Sequence, residues 1–113
     1  MPAATPHAVP QARIVLTTAD NPKKATTLAR ILVEENLAAC VTLIPAVQSI
    51  YRWREQIEHA TETLLLLKTT PAKLEALQTR LLALHTYQTP EFLVLPVESG
   101  SPAYLQWLNS SLP

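Results

Sequence analysis

From Arg13 onward the chain switches between two spacings of apolar residues, and each switch marks an element. Arg13 to Thr18, RIVLTT, is a short β-branched run that stops at Asp20-Asn21-Pro22, a strand followed by a helix start. From Pro22 to about Asn36, residues Ala25, Leu28, Ala29 and Leu32 recur at helical spacing, and Asn36 supplies the stop. Ala38 to Trp53 resumes a β pattern bent at Pro45, and a polar connection, Arg54 to Gln56, leads into a second long strand, Ile57 to Thr69. Thr70-Pro71 opens a helix with Leu74, Leu77, Leu81 and Leu84 on one stripe, ending near His85. Asn21-Pro22, Thr70-Pro71 and Ser101-Pro102 each place a capping side chain before a proline suited to a first helical turn. Thr89-Pro90 looks the same but precedes a continuous apolar run, so it opens a strand, Phe92 to Val97. Ser101-Pro102 then starts a short helix carrying Tyr104, Trp107 and Leu108.

The order is βαββαβ with an extra C-terminal helix, the split arrangement called ferredoxin-like, an α+β sandwich with both helices on one face of an antiparallel sheet. A sheet covered on one face alternates apolar and polar residues. This one does not: Leu64 to Leu67 are four leucines in a row, and Phe92 to Leu95 reads FLVL. Both faces of these strands are expected to be buried, and the chain's own helices cover one. Another copy of the chain is the simplest cover, so the pattern predicts a homo-oligomer.

At 113 residues and 48% apolar content the chain makes one domain, residues 13–113, after a Pro-rich tail, residues 1–12, expected to be disordered. Nine basic and nine acidic residues cancel, which argues against nucleic acid or an anionic membrane as partner. The tail MPAATPHAVPQA lacks the apolar block of a signal peptide, no apolar run reaches the roughly 20 residues of a membrane span, and the single Cys40 forms no internal disulfide. A cytoplasmic location is the expectation. Cys40 sits in an apolar run and reads as core, without the C-x-x-C of a copper chaperone.

Several spaced segments, in order, carry a resemblance: AACVTLIP (Ala38 to Pro45), SIYRW (Ser49 to Trp53), Ile57-Glu58, LKTT (Leu67 to Thr70), HTYQTPE (His85 to Glu91) and YLQWL (Tyr104 to Leu108). Together they are similar to the CutA family of divalent-cation-tolerance proteins. The resemblance implies a tight homotrimer, similar in architecture to the PII signalling proteins, with long hairpin strands pairing across subunits, and a link to metal tolerance with copper binding proposed for some members. Two departures stand out. Ala46 and Glu55 occupy positions where relatives usually have glycine, and a positive φ at Glu55 would cost on the order of 1 kcal/mol. The family's proposed metal ligands, a cysteine and two adjacent histidines, align with Thr17, Leu84 and His85, so only His85 keeps a metal-binding side chain.

His85 is therefore the one metal-ligand candidate, for a divalent cation such as Cu2+, against a plain role capping a helix end. No cofactor is required by the pattern. Lys68, following four leucines, needs either water or a carboxylate, with Glu58, Glu62 and Glu91 as candidates. With Trp53, Tyr51, Tyr87 and Tyr104, these residues are candidates to line a cleft between subunits for a small anionic ligand, against interfacial ion pairing and packing. An enzyme is not expected: His85 with Glu91 is the best acid/base pair, and no phosphate loop, zinc motif or nucleophile elbow accompanies it.

Overall fold

The computed structural model describes residues 10–113; most of the expected N-terminal tail lies outside the described residues. Its elements are β1 (Arg13–Ala19), α1 (Pro22–Glu34), β2 (Cys40–Trp53), β3 (Gln56–Thr69), α2 (Leu74–Leu84), β4 (Leu93–Pro96) and α3 (Pro102–Ser110). The four strands form one antiparallel sheet in the order β2-β3-β1-β4, the split βαβ topology expected. Among the described residues no helix is long and apolar enough to cross a membrane.

Local chemistry explains most boundaries. Asn21 Oδ1 accepts from Lys24 N–H at 2.9 Å, capping α1, and Ser101 Oγ accepts from Tyr104 N–H at 3.3 Å, capping α3. Thr70 departs from the expectation: it makes no side-chain cap, and a 3-10 turn, Pro71–Lys73, precedes α2. The neighbouring Thr69 hydroxyl donates instead to Leu37 O at 2.8 Å, pinning the end of β3 to the exit of α1. That exit is closed by Asn36 at φ 59°, with Leu37 N–H reaching Leu32 O at 2.9 Å. Glu35 and Arg80 join α1's end to α2 through two 2.8 Å bonds, and the Arg80 guanidinium holds the Glu35 carboxyl below its usual range, chiefly by hydrogen bonding.

The hairpin turn is tighter than its sequence suggested. Trp53 pairs with Gln56, leaving Arg54 (φ 51°) and Glu55 (φ 68°) as a two-residue turn with both residues left-handed, while Ala46 (φ 60°) forms a bulge where the register shifts between Ile44 and Val47. The two positions at which glycine was the expected residue are thus both left-handed. Arg54 offsets part of the strain by lying 5.5 Å over the Trp53 ring. Glu55→Gly and Ala46→Gly should each raise stability, by about 0.5–1 kcal/mol after the extra chain entropy of glycine, read as a higher urea midpoint with unchanged slope.

The alternation of β1 and β3 sorts the sheet into two faces. Val15, Ala19, Leu65 and Leu67 point to the helices and join Ala25, Leu28, Ala29, Leu32, Leu77 and Leu81 in the main core. The opposite face carries Ile14 and Leu16 of β1, Leu64 and Leu66 of β3, Ile44 of β2, and Leu93 and Leu95 of β4, aligned by the pairs Leu16↔Leu66, Leu16↔Leu93, Ile14↔Leu95 and Ile44↔Leu64. Only one end of it is covered, where Leu105 and Leu108 of α3 pack with Ala12, Ala39 and Val97. Ala12, assigned by sequence to the tail, is buried there. In the isolated subunit β4 is an edge strand, not a doubly buried one: Leu93 is 55% and Leu95 45% exposed. Cys40 is likewise only half-buried, on this open face rather than in the core.

Two hydroxyls in the helix-covered layer, Thr17 and Thr63, are fully buried without a hydrogen-bond partner among the described residues. Such a group costs about 1–3 kcal/mol, so Thr17→Val, which keeps the shape and removes the hydroxyl, should raise the thermal midpoint. A lowered midpoint would mean that the hydroxyl is satisfied.

Candidate functional site

α2 ends at Leu84, and His85 leaves it with extended backbone (ψ 143°), which swings the chain across the end of β1. The ring is held on both sides: Nε2–H donates to Thr18 O at 2.7 Å, and Nδ1 accepts from Tyr87 N–H at 3.0 Å. A carbonyl can only accept and an amide N–H can only donate, so these partners select the neutral Nε2–H tautomer. The Tyr87 ring lies tilted against that of His85, 4.7 Å between centroids, and its hydroxyl donates to Glu62 Oε2 at 2.7 Å. Burial first, then the hydrogen bond and charge of Glu62, push the Tyr87 phenol well above the usual tyrosine range, with smaller contributions from Asp20 and Tyr51. The result is a relay from β1 through His85 and Tyr87 to a carboxylate on β3 that is only 8% exposed.

This relay bears directly on metal. Neither ring nitrogen of His85 has a free lone pair, and the other two aligned positions, Leu84 and Thr17, offer an alkyl group and a buried hydroxyl. Among the described residues no three His, Cys, Asp or Glu side chains stand together as a metal-binding group. The donor set of one subunit does not fit a bound divalent ion at His85, because coordination would first break a bond that orders the α2–β4 crossing.

The cleft candidates fall in three places. Tyr87 is joined to Glu62, which the sequence reading had placed both as a partner for Lys68 and on the cleft lining, and Glu91, half-buried after the crossing, makes no ion pair among the described residues. Trp53 and Glu58 stand on the hairpin. β1 pairs β3 only from Thr63 onward, so the hairpin tip projects past the sheet and gives the subunit its 60 Å long axis. Ile50, Tyr51 and Ile57 are exposed along it. Lys68 lies ten residues from Glu58 on the same strand, roughly 33 Å at strand rise, so no single cleft of one subunit unites them.

Lys68 and Tyr104, by contrast, line one concavity of about 220 Å³ between α3 and the open sheet face. Lys68 finds no carboxylate there: Nζ donates to Thr42 Oγ1 at 2.8 Å and approaches Cys40 Sγ at 3.7 Å. A larger open groove, about 430 Å³, runs between α1 and the end of α2, lined by Lys23, Lys24, Leu28, Ile31 and His85 among others. No spacing along the chain marks this groove, since it arises only where the two helices pack.

Comparison with known proteins follows the same boundaries. Residues 13–111 match the family model described as CutA1 divalent ion tolerance protein. The chain is 46% identical over 104 residues to the divalent-cation tolerance protein CutA of Citrobacter koseri, covering 92% of this chain and 90% of that one. The solved structure of CutA from Synechococcus elongatus PCC7942 is 44% identical with a TM-score of 0.88, covering 92% of each chain. That of the periplasmic divalent cation tolerance protein CutA from Archaeoglobus fulgidus is 31% identical with a TM-score of 0.87, covering 90% of this chain and 99% of that one.

Proposed function

Because the chain belongs to the CutA divalent ion tolerance family, we propose that it serves tolerance of divalent metal ions as a cytoplasmic homotrimer, and not as an enzyme. The collinear match over nearly the whole domain supports the role. The open leucine face supports the assembly, since two further copies bury it at about 1.5–3 kcal/mol for each side chain fully covered. Projecting hairpins then reach from one copy to the next, carrying Trp53 and Glu58 toward a neighbour. Cu2+ is bound weakly, at a site to which His85 contributes little while its ring is engaged. Growth in raised Cu(II) tests the role: cells deprived of the protein should tolerate less, and restoring it should recover them. Equal growth with and without it would remove the metal-tolerance reading. In titrations with Cu(II), His85→Ala should leave the affinity unchanged; a large loss would return His85 to the metal site.

A second reading is favoured by one observation, the shared concavity of Lys68 and Tyr104. On it the protein is a PII-like module whose intersubunit cleft takes a small anion.

A further inference from the structure

We propose that each subunit closes on the next through an ion pair no single copy can make, Lys68 of one copy against Glu62 of its neighbour. The proposal rests on the homotrimer reading just given and names the contact that fixes how copies meet. Two charges interrupt the leucine face. Along β3, Glu62, Leu64, Leu66 and Lys68 occupy successive open-face positions, so a charge stands at each end of the leucine pair. Glu62 is buried, yet its one partner is the Tyr87 phenol at Oε2, and Oε1 accepts no hydrogen bond among the described residues. Lys68 is half-buried, and its ammonium turns over the open face toward β2, donating to Thr42 Oγ1 at 2.8 Å beside Cys40 Sγ at 3.7 Å. Neither charge joins an ion pair among the described residues. Each is thus compensated only by neutral groups, and one ammonium N–H and one carboxylate oxygen remain free.

Covering this face makes compensation necessary. Another copy brings apolar side chains against it and removes the water that hydrates both groups, and an ion left unpaired in such an interface is costly. The chain holds few alternatives. Among the described residues Lys68 is the only cation at an open-face position of the four strands. Arg52 pairs with Ile57, out of phase with Glu58 and Glu62, so it stands on the hairpin's other face; Arg54 lies over the Trp53 ring, and Arg13 donates to Ala12 O at 2.9 Å. Glu58 is exposed on the hairpin and stays hydrated, whereas Glu62 is buried and has no cation. Within a copy roughly 20 Å of extended strand separates Glu62 from Lys68, so the pair forms only head to tail, the Lys68 end of one sheet against the Glu62 end of the next. Three copies around one axis make three such pairs and leave neither charge over. The Lys68 ammonium then completes the His85–Tyr87–Glu62 relay from across the interface.

The test uses the full-length protein. A zero-length carbodiimide, which joins an amine to a carboxylate in contact with it, should link chains into covalent dimers and trimers on a denaturing gel. Digestion should release a Lys68–Glu62 junction, which the length of strand between them rules out within one chain. Lys68→Met, which keeps the aliphatic stem, and Glu62→Gln, which still accepts from Tyr87, should each abolish that junction and lower the urea midpoint for dissociation at fixed protein concentration. The double variant should dissociate no earlier than the weaker single one, because it leaves no lone charge in the interface. Additive losses in the double variant, or Lys68 joined to Glu58 or Glu91 instead, would overturn the pairing while a trimeric mass leaves the assembly standing. Wild-type protein that runs as a monomer at micromolar concentration would overturn both.

Discussion

Leu66→Glu is expected to turn the assembled protein into folded monomers of 12.5 kDa. Leu66 sits in the middle of the open face, opposite Leu16 on one side and Thr42 on the other. In an isolated subunit it is only partly buried, so a carboxylate at this position can reach water and the helix-covered core is untouched. In the assembly the same carboxylate would be buried against leucines of another copy without a partner. An uncompensated buried charge costs several kcal/mol, and an interface closed by symmetry repeats that cost in every copy. Mass should therefore fall to the monomer while far-UV circular dichroism keeps the folded spectrum. A variant that stays assembled would place the interface elsewhere; one that unfolds at any concentration would mean that Leu66 belongs to the subunit core.

Tyr87→Phe should destabilise the protein by roughly 2 kcal/mol at neutral pH, because it leaves the Glu62 carboxylate, 8% exposed, without its hydroxyl donor. The pH dependence distinguishes this from lost packing. The folded-state pKa of Tyr87 is raised above its unfolded value, so its contribution is complete below the ordinary tyrosine range and declines as pH climbs through the folded value. Wild type should thus lead the variant by a constant margin from neutral pH to about pH 9 and lose that lead only in stronger alkali. A margin independent of pH throughout would remove the hydrogen bond from the account. His85→Ala should be destabilising in the same relay, with a nonadditive double variant, because Tyr87's position depends on the bond from its amide to Nδ1.

The fold could be read in the sequence because its signals are local. Asn21-Pro22 and Ser101-Pro102 begin helices as their caps require, the Pro22 to Asn36 stripe is the buried stripe of α1, and Pro90 leads into a strand. The leucine runs also carried correct information, but of two kinds that periodicity could not separate. Leu65 and Leu67 face the chain's own helices, whereas Leu64 and Leu66 face outward, and β4 proved to be an edge. Thr70 misled because the first turn after it is 3-10, which leaves its hydroxyl no capping geometry. The candidate site was less legible. Lys68 and Glu62 lie on one face of one strand, yet six residues of extended chain separate them by roughly 20 Å, so an ion pair between them cannot form within one subunit. What Glu62 meets instead depends on the His85 crossing, a contact set by tertiary placement alone.

A divalent-ion tolerance subunit of this fold leaves a leucine face for its own copies to cover. Light scattering of the intact protein at micromolar concentration tests it most directly. A mass three times 12.5 kDa, unchanged on dilution, is the predicted result; a stable monomer would contradict it.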